Sequence, residues 1–262
     1  MNVYPEIEAI MIKFCRRQLG VGSRTPIPAV IGECGMVGVH IDCKLKCLKY
    51  WIRLISQPQD NLLRACYNML FLHCNAGRKN WASQVKNMLY EFGFGYIWEL
   101  QAVYDEVRFI DDFRNRLLDC EKQTWRAAVT NMPKLELYSV FKLELKTEMY
   151  LLLDMQRKYR VALAKLRVGN HELEIEKGRQ CKKKREERIC RFCHHGIEDE
   201  YHVIFDCNLY NEIREAYIKD EYKSPSNLYT FGKLLSSEND TCIVNLSKFV
   251  YYMFTVRKDY IT

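Results

Sequence analysis

No stretch of eighteen consecutive apolar residues occurs in the chain, so no segment reads as a membrane-spanning helix. The first twenty residues lack the uninterrupted apolar core of a secretory signal, because Glu6, Glu8, Lys13, Arg16 and Arg17 are spread among the apolar positions. That mixture predicts an amphipathic helix. There is no phosphate-binding glycine-rich loop and no Gly-x-Ser-x-Gly element, which removes two common signatures of catalysis. Internal repeats and low-complexity tracts are also missing, so a solenoid or a disordered polymer is not expected.

What is present is the material of a folded protein. The 262 residues are 48% hydrophobic and 13% aromatic, enough for one large domain or two small ones. The net charge of +7 suits an acidic partner such as nucleic acid. Of twelve cysteines, eight (Cys15, Cys34, Cys43, Cys47, Cys66, Cys74, Cys120 and Cys242) stand singly in helix-like sequence. They read as small buried thiols in a reducing compartment, hence a nuclear or cytoplasmic protein.

Helical periods dominate the first two thirds. Ile7, Ile10, Met11, Phe14 and Cys15 mark a helix from Pro5 to Leu19, and the glycines and prolines of residues 20–38 predict loop. Further helices are predicted over Ile41–Ser56, Asn61–Leu72 with Asp60 as cap, Trp81–Phe92 capped by Asn80, Asp105–Val129, Ser139–Asp154 and Gln156–Val168. The pair Asp111-Asp112 follows Phe109-Ile110, as in a polymerase turn, but Phe113, Leu117 and Leu118 continue a helical period. No apolar strand flanks it, so no two-metal site is read there. After the Gly169-Asn170 turn, residues 171–176 alternate polar and apolar, which predicts a short strand with Glu172, Glu174 and Glu176 on its solvent face. Helix resumes over Glu200–Ile218, Ser226–Leu235 and Val244–Val256, the last with Leu246, Phe249, Val250, Met253 and Phe254 as its stripe.

The chemistry concentrates between residues 179 and 207. Cys190, Cys193, His202 and Cys207 form the pattern Cys-x2-Cys-x8-His-x4-Cys. Three thiolates and an imidazole close a tetrahedral zinc site with no open position, so the expected cofactor is one structural Zn2+ that folds a segment without catalysing a reaction. Cys181, His194 and His195 remain possible competing ligands. Just before the first ligand pair, residues 179–191 hold seven bases against two acids, a net +5. Lys182, Lys183, Lys184, Arg185, Arg188 and Arg191 are therefore candidate phosphate contacts, while a solvated linker and a nuclear-import signal are the other readings of the run. Phe192 either stacks on a base or packs against Ile189 and Tyr201.

Residues 185–193 (Arg-Glu-Glu-Arg-Ile-Cys-Arg-Phe-Cys), residues 198–207 (Glu-Asp-Glu-Tyr-His-Val-Ile-Phe-Asp-Cys) and Tyr210 to Arg214 resemble the zinc-binding region that follows the reverse transcriptase domain of non-LTR (LINE-type) retrotransposon proteins. Leu166–His171 and Ile175–Arg179 extend the likeness, and Lys13-Phe14-Cys15, Leu19-Gly20-Val21, residues 32–35 and Lys49-Tyr50-Trp51 extend it more loosely. Residues 35–38 and the basic linker around Cys181 depart from that pattern. The resemblance implies the C-terminal portion or remnant of such a protein, binding RNA or DNA beside other retrotransposon domains and having no polymerase active site of its own.

The resulting expectation is a mainly α protein: an irregular helical array with a short β element and a small CCHC zinc knuckle. Its regions are a helical linker over 1–155, a zinc module with its basic arm over 156–220, and C-terminal helices over 221–262. It is expected not to be an enzyme. Two alternatives stay open, a protein-interaction scaffold with a purely structural zinc and a decayed element without function.

Overall fold

Apolar residues recurring every three or four positions fold most of this chain as helix. The computed structural model describes residues 5–260, with 69% helix and 1% strand. In order the helices are α1 (Pro5–Leu19), α2 (Ile27–Cys34), α3 (Val39–Ile55), α4 (Leu62–Asn75), α5 (Trp81–Glu91), α6 (Gly95–Leu100), α7 (Glu106–Thr130) and α8 (Tyr138–Phe141). They continue with α9 (Met149–Leu152), α10 (Arg157–Arg167), α11 (Glu174–Gln180), α12 (Glu200–Phe205), α13 (Asn211–Tyr217), α14 (Asp220–Lys223), α15 (Leu228–Leu235) and α16 (Asp240–Asp259). No helix is long and apolar enough to cross a membrane among the described residues. The amphipathic segment expected from the first residue is seen from Pro5 as α1; residues 1–4 lie outside the described ones.

The contacts divide the chain into two units, Met1–Ala9 with Val37–Gln123 and Ile10–Met36 with Thr124–Thr262. These borders differ from the three regions drawn on the sequence at residues 155 and 220. In the first unit Trp51 stacks on Trp98 with centroids 6.0 Å apart and donates its indole N–H to Tyr67 Oη at 2.9 Å. Phe92, Phe109 and Phe113 close the same core. Each such buried side chain contributes about 1.5–3 kcal/mol. Asn80 and Ser83 form a reciprocal capping box at the start of α5. The cap of α4 is Asn61, whose side chain accepts from Leu63 N at 2.8 Å, one residue after the expected Asp60. Asp111 and Asp112 lie exposed within α7, and Arg108 pairs with Asp112 at 3.9 Å.

The second unit is organised by α10 and α16, whose Leu163, Leu166, Leu246, Phe249 and Met253 share one buried cluster. Within residues 20–38, expected to be loop, lies the helix α2. Its Gly32 sits so close to Trp125 and Tyr138 that a Cβ would lie 2.5 Å from the Tyr138 hydroxyl. The glycine that resembles a breaker in sequence is a packing position. Gly20, at φ +66°, turns the chain after α1 against Val161.

The continuous helix expected over residues 139–154 is broken into α8 and α9 by a buried ion network. Arg167 holds Glu33 with the Nε–Nη2 edge of its guanidinium, at 2.8 and 3.1 Å, and Glu148 at 2.6 Å. Lys142 Nζ donates to Lys146 O at 2.6 Å and to Glu148. Lys142 and Glu148 are six residues apart, about 240° around a continuous helix, so only a reversal of the chain lets them meet. Tyr150 donates to Glu33 at 2.7 Å. Burial pushes the Tyr150 phenol well up and pulls the Lys142 ammonium down.

The strand expected over residues 171–176 is not formed; Glu174–Gln180 is the helix α11. Among the described residues no neighbouring strand offers the ladder that such a segment needs. Acids in the first turn and bases in the last favour helix instead. Glu174 and Glu176 are consequently buried rather than solvent-facing, whereas Glu172 is exposed. The run over residues 200–218 is likewise two helices, α12 and α13.

Removing the guanidinium by Arg167→Met leaves Glu33 buried and unpaired. It is expected to cost about 3–5 kcal/mol in urea unfolding. The double variant E33Q/R167M should recover part of that loss; a single variant as stable as the wild type would contradict the role given to the network.

Candidate metal centre

The first half of the centre is a tight loop closed by one pairing. Ile189 and Ile197 form an isolated antiparallel bridge, and Cys190 N donates to Gly196 O at 3.1 Å. Between them the chain reverses through His194 and Gly196 at φ +56° and +70°, with His194 N donating to Cys190 O at 3.1 Å. His195 N donates to Cys193 Sγ at 3.4 Å, so the backbone of the turn is aimed at that sulfur.

A helix start supplies the second half. Asp199 caps α12 by accepting from His202 N at 2.9 Å, which puts His202 in the first turn with its ring turned back toward the loop. Cys207 follows the end of the helix, its N–H donating to His202 O at 2.9 Å. Arg214 of α13 locks that end by donating to Ile204 O at 2.6 Å and Cys207 O at 2.9 Å.

These two pieces bring Cys190, Cys193, His202 and Cys207 together, with all four donor atoms within 4.8 Å of one another. The Cys190 and Cys207 sulfurs are 3.8 Å apart, and Cys193 Sγ lies 3.3 Å from His202 Nε2. An ion bound tetrahedrally at about 2.3 Å from sulfur and about 2.0 Å from nitrogen has edges of about 3.5–3.8 Å. The cluster is thus able to hold a metal ion. Cys190, Cys207 and His202 are buried and Cys193 is half-buried, so little room is left for a solvent ligand. The hydrogen bond from Cys207 pulls the Cys190 thiol down from its ordinary value. Cys181, His194 and His195 are exposed and outside this group of four.

Behind the loop lies Glu198, which is fully buried. Its carboxylate accepts from Glu174 N at 2.8 Å and its carbonyl from Ile175 N at 3.0 Å, capping α11. The same carboxylate pairs with Arg257 of α16 and lies 3.9 Å from Cys190 Sγ. Arg257 also donates to Glu172 O at 2.9 Å. On the sequence Glu198 and Arg214 carry only the family resemblance, with no structural role, and Arg257 goes unremarked. Their one signal was a charged residue inside an apolar period, as at Arg257 after Met253, Phe254 and Val256.

The basic run divides in two. Arg185 pairs with Glu136 and, at 3.9 Å, with Asp199. Arg188 donates to Ile175 O at 3.1 Å and Lys183 O at 2.8 Å, its stem lying where a Cβ on Gly178 would stand. Arg191 meets the buried Glu174 at 2.5 Å. Those three hold the module together. Lys182, Lys183 and Lys184 instead stand exposed on a turn that passes through φ +56° at Lys182. The Arg257 guanidinium lies 5.1 Å from the Phe192 ring, and Tyr260 meets that ring edge-on at 6.2 Å.

Comparison with protein-family models, curated proteins and solved structures finds no match.

Titration with cobalt(II) should give one ion per chain and an intense thiolate-to-metal band. Cys207→Ser should weaken that band and the affinity, whereas His194→Ala and Cys181→Ser should leave both intact. An unchanged spectrum in the Cys207 variant would show that the ion sits elsewhere.

Proposed function

We propose that the four-donor cluster holds a single structural zinc ion and that the module it folds binds RNA or DNA through its phosphates. The observation that carries this reading is the division of the basic run beside the cluster. Arg188 is engaged by backbone carbonyls, Arg191 by the buried Glu174 and Arg185 by Glu136 and Asp199, while Lys182, Lys183 and Lys184 face solvent on the turn before them. Lys183 O accepts from Arg188, whose guanidinium also reaches Ile175 O, so the lysine turn is anchored to α11 and not a free tail. Zinc, when bound, supplies four strong bonds in place of a large apolar core. The chain's own part is to hold the turn and present its ammonium groups to a phosphate backbone.

The sequence resemblance gives this module a context. As the C-terminal portion or remnant of a non-LTR retrotransposon protein, it would hold template RNA or target DNA near a polymerase carried elsewhere, without a polymerase active site of its own. A nuclear or cytoplasmic location fits such a task. The competing scaffold reading is favoured by one feature, the apolar exposure of Leu62, Met69 and Leu72 on α4.

Binding of a single-stranded RNA should fall steeply with salt. Replacing Lys182, Lys183 and Lys184 together by alanine should reduce the slope of log K against log salt by about 2, since each contact on a single strand contributes about 0.7. Metal content should not change. If the wild-type protein binds no strand at about 50 mM salt, the scaffold reading takes its place.

A further inference from the structure

A groove of about 660 Å³ opens on the other side of α11, in the second unit. Its walls come from the turn after α1, the end of α10, α11 itself and the end of α16. Six bases line it (Arg24, Lys134, Lys165, Lys177, Arg257 and Lys258) against two acids, Glu172 and Glu176. The acids are already engaged: Glu176 pairs with Lys134 at 2.8 Å and Glu172 with Lys177 at 3.1 Å. Arg257 is neutralised from behind by Glu198. Arg24 meets only the neutral Gln180 amide, at 3.5 Å, and among the described residues no acid pairs with Lys165. The groove therefore keeps an excess of positive charge inside a concave wall, where a field is focused rather than dispersed.

Two further features fix the ligand's chemistry. Phe254 lines the groove, half-buried, with the His171 ring 6.3 Å away, so an aromatic surface lies among the cations. Also, Arg257 is almost wholly buried, and its Nε is a polar atom without a hydrogen-bond partner. A cationic rim around an aromatic wall suits a phosphate backbone that carries an unpaired base. A duplex keeps its base faces within its own stack and has no use for such a wall. Gln180, the partner of Arg24, stands two residues before Lys182, so the groove runs directly into the exposed lysine turn.

We propose that this groove is the track of an extended single strand of nucleic acid, with phosphates on Arg24 and Lys165 and a base against Phe254. The track continues past Gln180 onto Lys182, Lys183 and Lys184. The proposal rests on the nucleic-acid reading of the metal module and adds to it a path and a polarity of contacts. It also gives Arg257 a second task, since the residue that secures Glu198 behind the metal cluster forms part of the groove wall.

The test is fluorescence anisotropy of a labelled single-stranded RNA on the full chain loaded with metal. The double variant R24A/K165A removes two cations that anchor no buried group. Expected are about a tenfold loss of affinity at low salt and a salt slope smaller by about 1.4, two contacts at about 0.7 each. The thermal midpoint and metal content should match the wild type. R24K/K165R should restore binding, and Phe254→Leu, which keeps apolar bulk but removes the ring face, should weaken it with the slope unchanged. If the lysine-turn variant loses affinity while R24A/K165A does not, the groove assignment is wrong and the module reading stands. If a nucleoside monophosphate at equal phosphate concentration displaces the strand, the groove is a nucleotide pocket and not a track. If the wild type binds no strand at all, the module reading itself falls.

Discussion

One buried carboxylate, that of Glu198, ties three parts of the second unit together. It lies beside Cys190 in the metal cluster, caps the first amides of α11 and neutralises Arg257 on α16. A carboxylate taken wholly out of water costs several kcal/mol unless every lone pair finds a donor. Here the donors are the Glu174 amide and the Arg257 guanidinium. The arrangement is reciprocal. If the metal loop opens, Glu198 loses its place, α11 loses its cap and Arg257 is left as a buried cation without its main partner. The cluster therefore acts on residues far from it in sequence, from Glu172 to Arg257, through one side chain.

That constraint explains how the positive charge is divided. A net +5 over thirteen residues looks uniform along the chain, and folding makes it unequal. Arginines, with planar guanidinium groups able to serve several acceptors, are engaged by other groups of the chain at 185, 188 and 191. Lysines, strongly hydrated point charges, stay outside at 182, 183 and 184. Of the seven cations, Arg179, Arg185 and Arg191 pair with carboxylates and Arg188 with backbone carbonyls, so the uniform run along the chain is not a uniform display of charge. The groove along α11 supplies further cations from other elements, including one from residue 24 and one from residue 165.

Much of the helical fold was legible because long helices advertise their period. α7 was expected over 105–129 and is found over Glu106–Thr130, with Phe109, Phe113, Trp125 and Val129 buried. The cluster of Cys190, Cys193, His202 and Cys207 was legible too, because spacing restricts which cysteines and histidines can meet. What stayed hidden depends on partners distant in sequence. The alternation at 171–176 reads as strand until Glu198, twenty-four residues from Glu174, caps it as helix. The break between α8 and α9 exists because Lys142 and Glu148 share a site with Arg167 and Glu33. Period and propensity carry no information about such buried charges. The same holds for α2, where a glycine serves the approach of Trp125 and Tyr138.

The dependence of α11 on the metal loop is open to a direct measurement, amide hydrogen exchange on the metal-loaded protein and on the same protein after chelation. Expected is a loss of protection over residues 189–207 and, with it, at the amides of Glu174 and Ile175, which Glu198 holds. Protection in α3 and α5 of the first unit should persist. Unchanged exchange at Glu174 and Ile175 after the metal is removed would contradict the coupling, and unchanged exchange over 189–207 would remove the structural role of the metal itself.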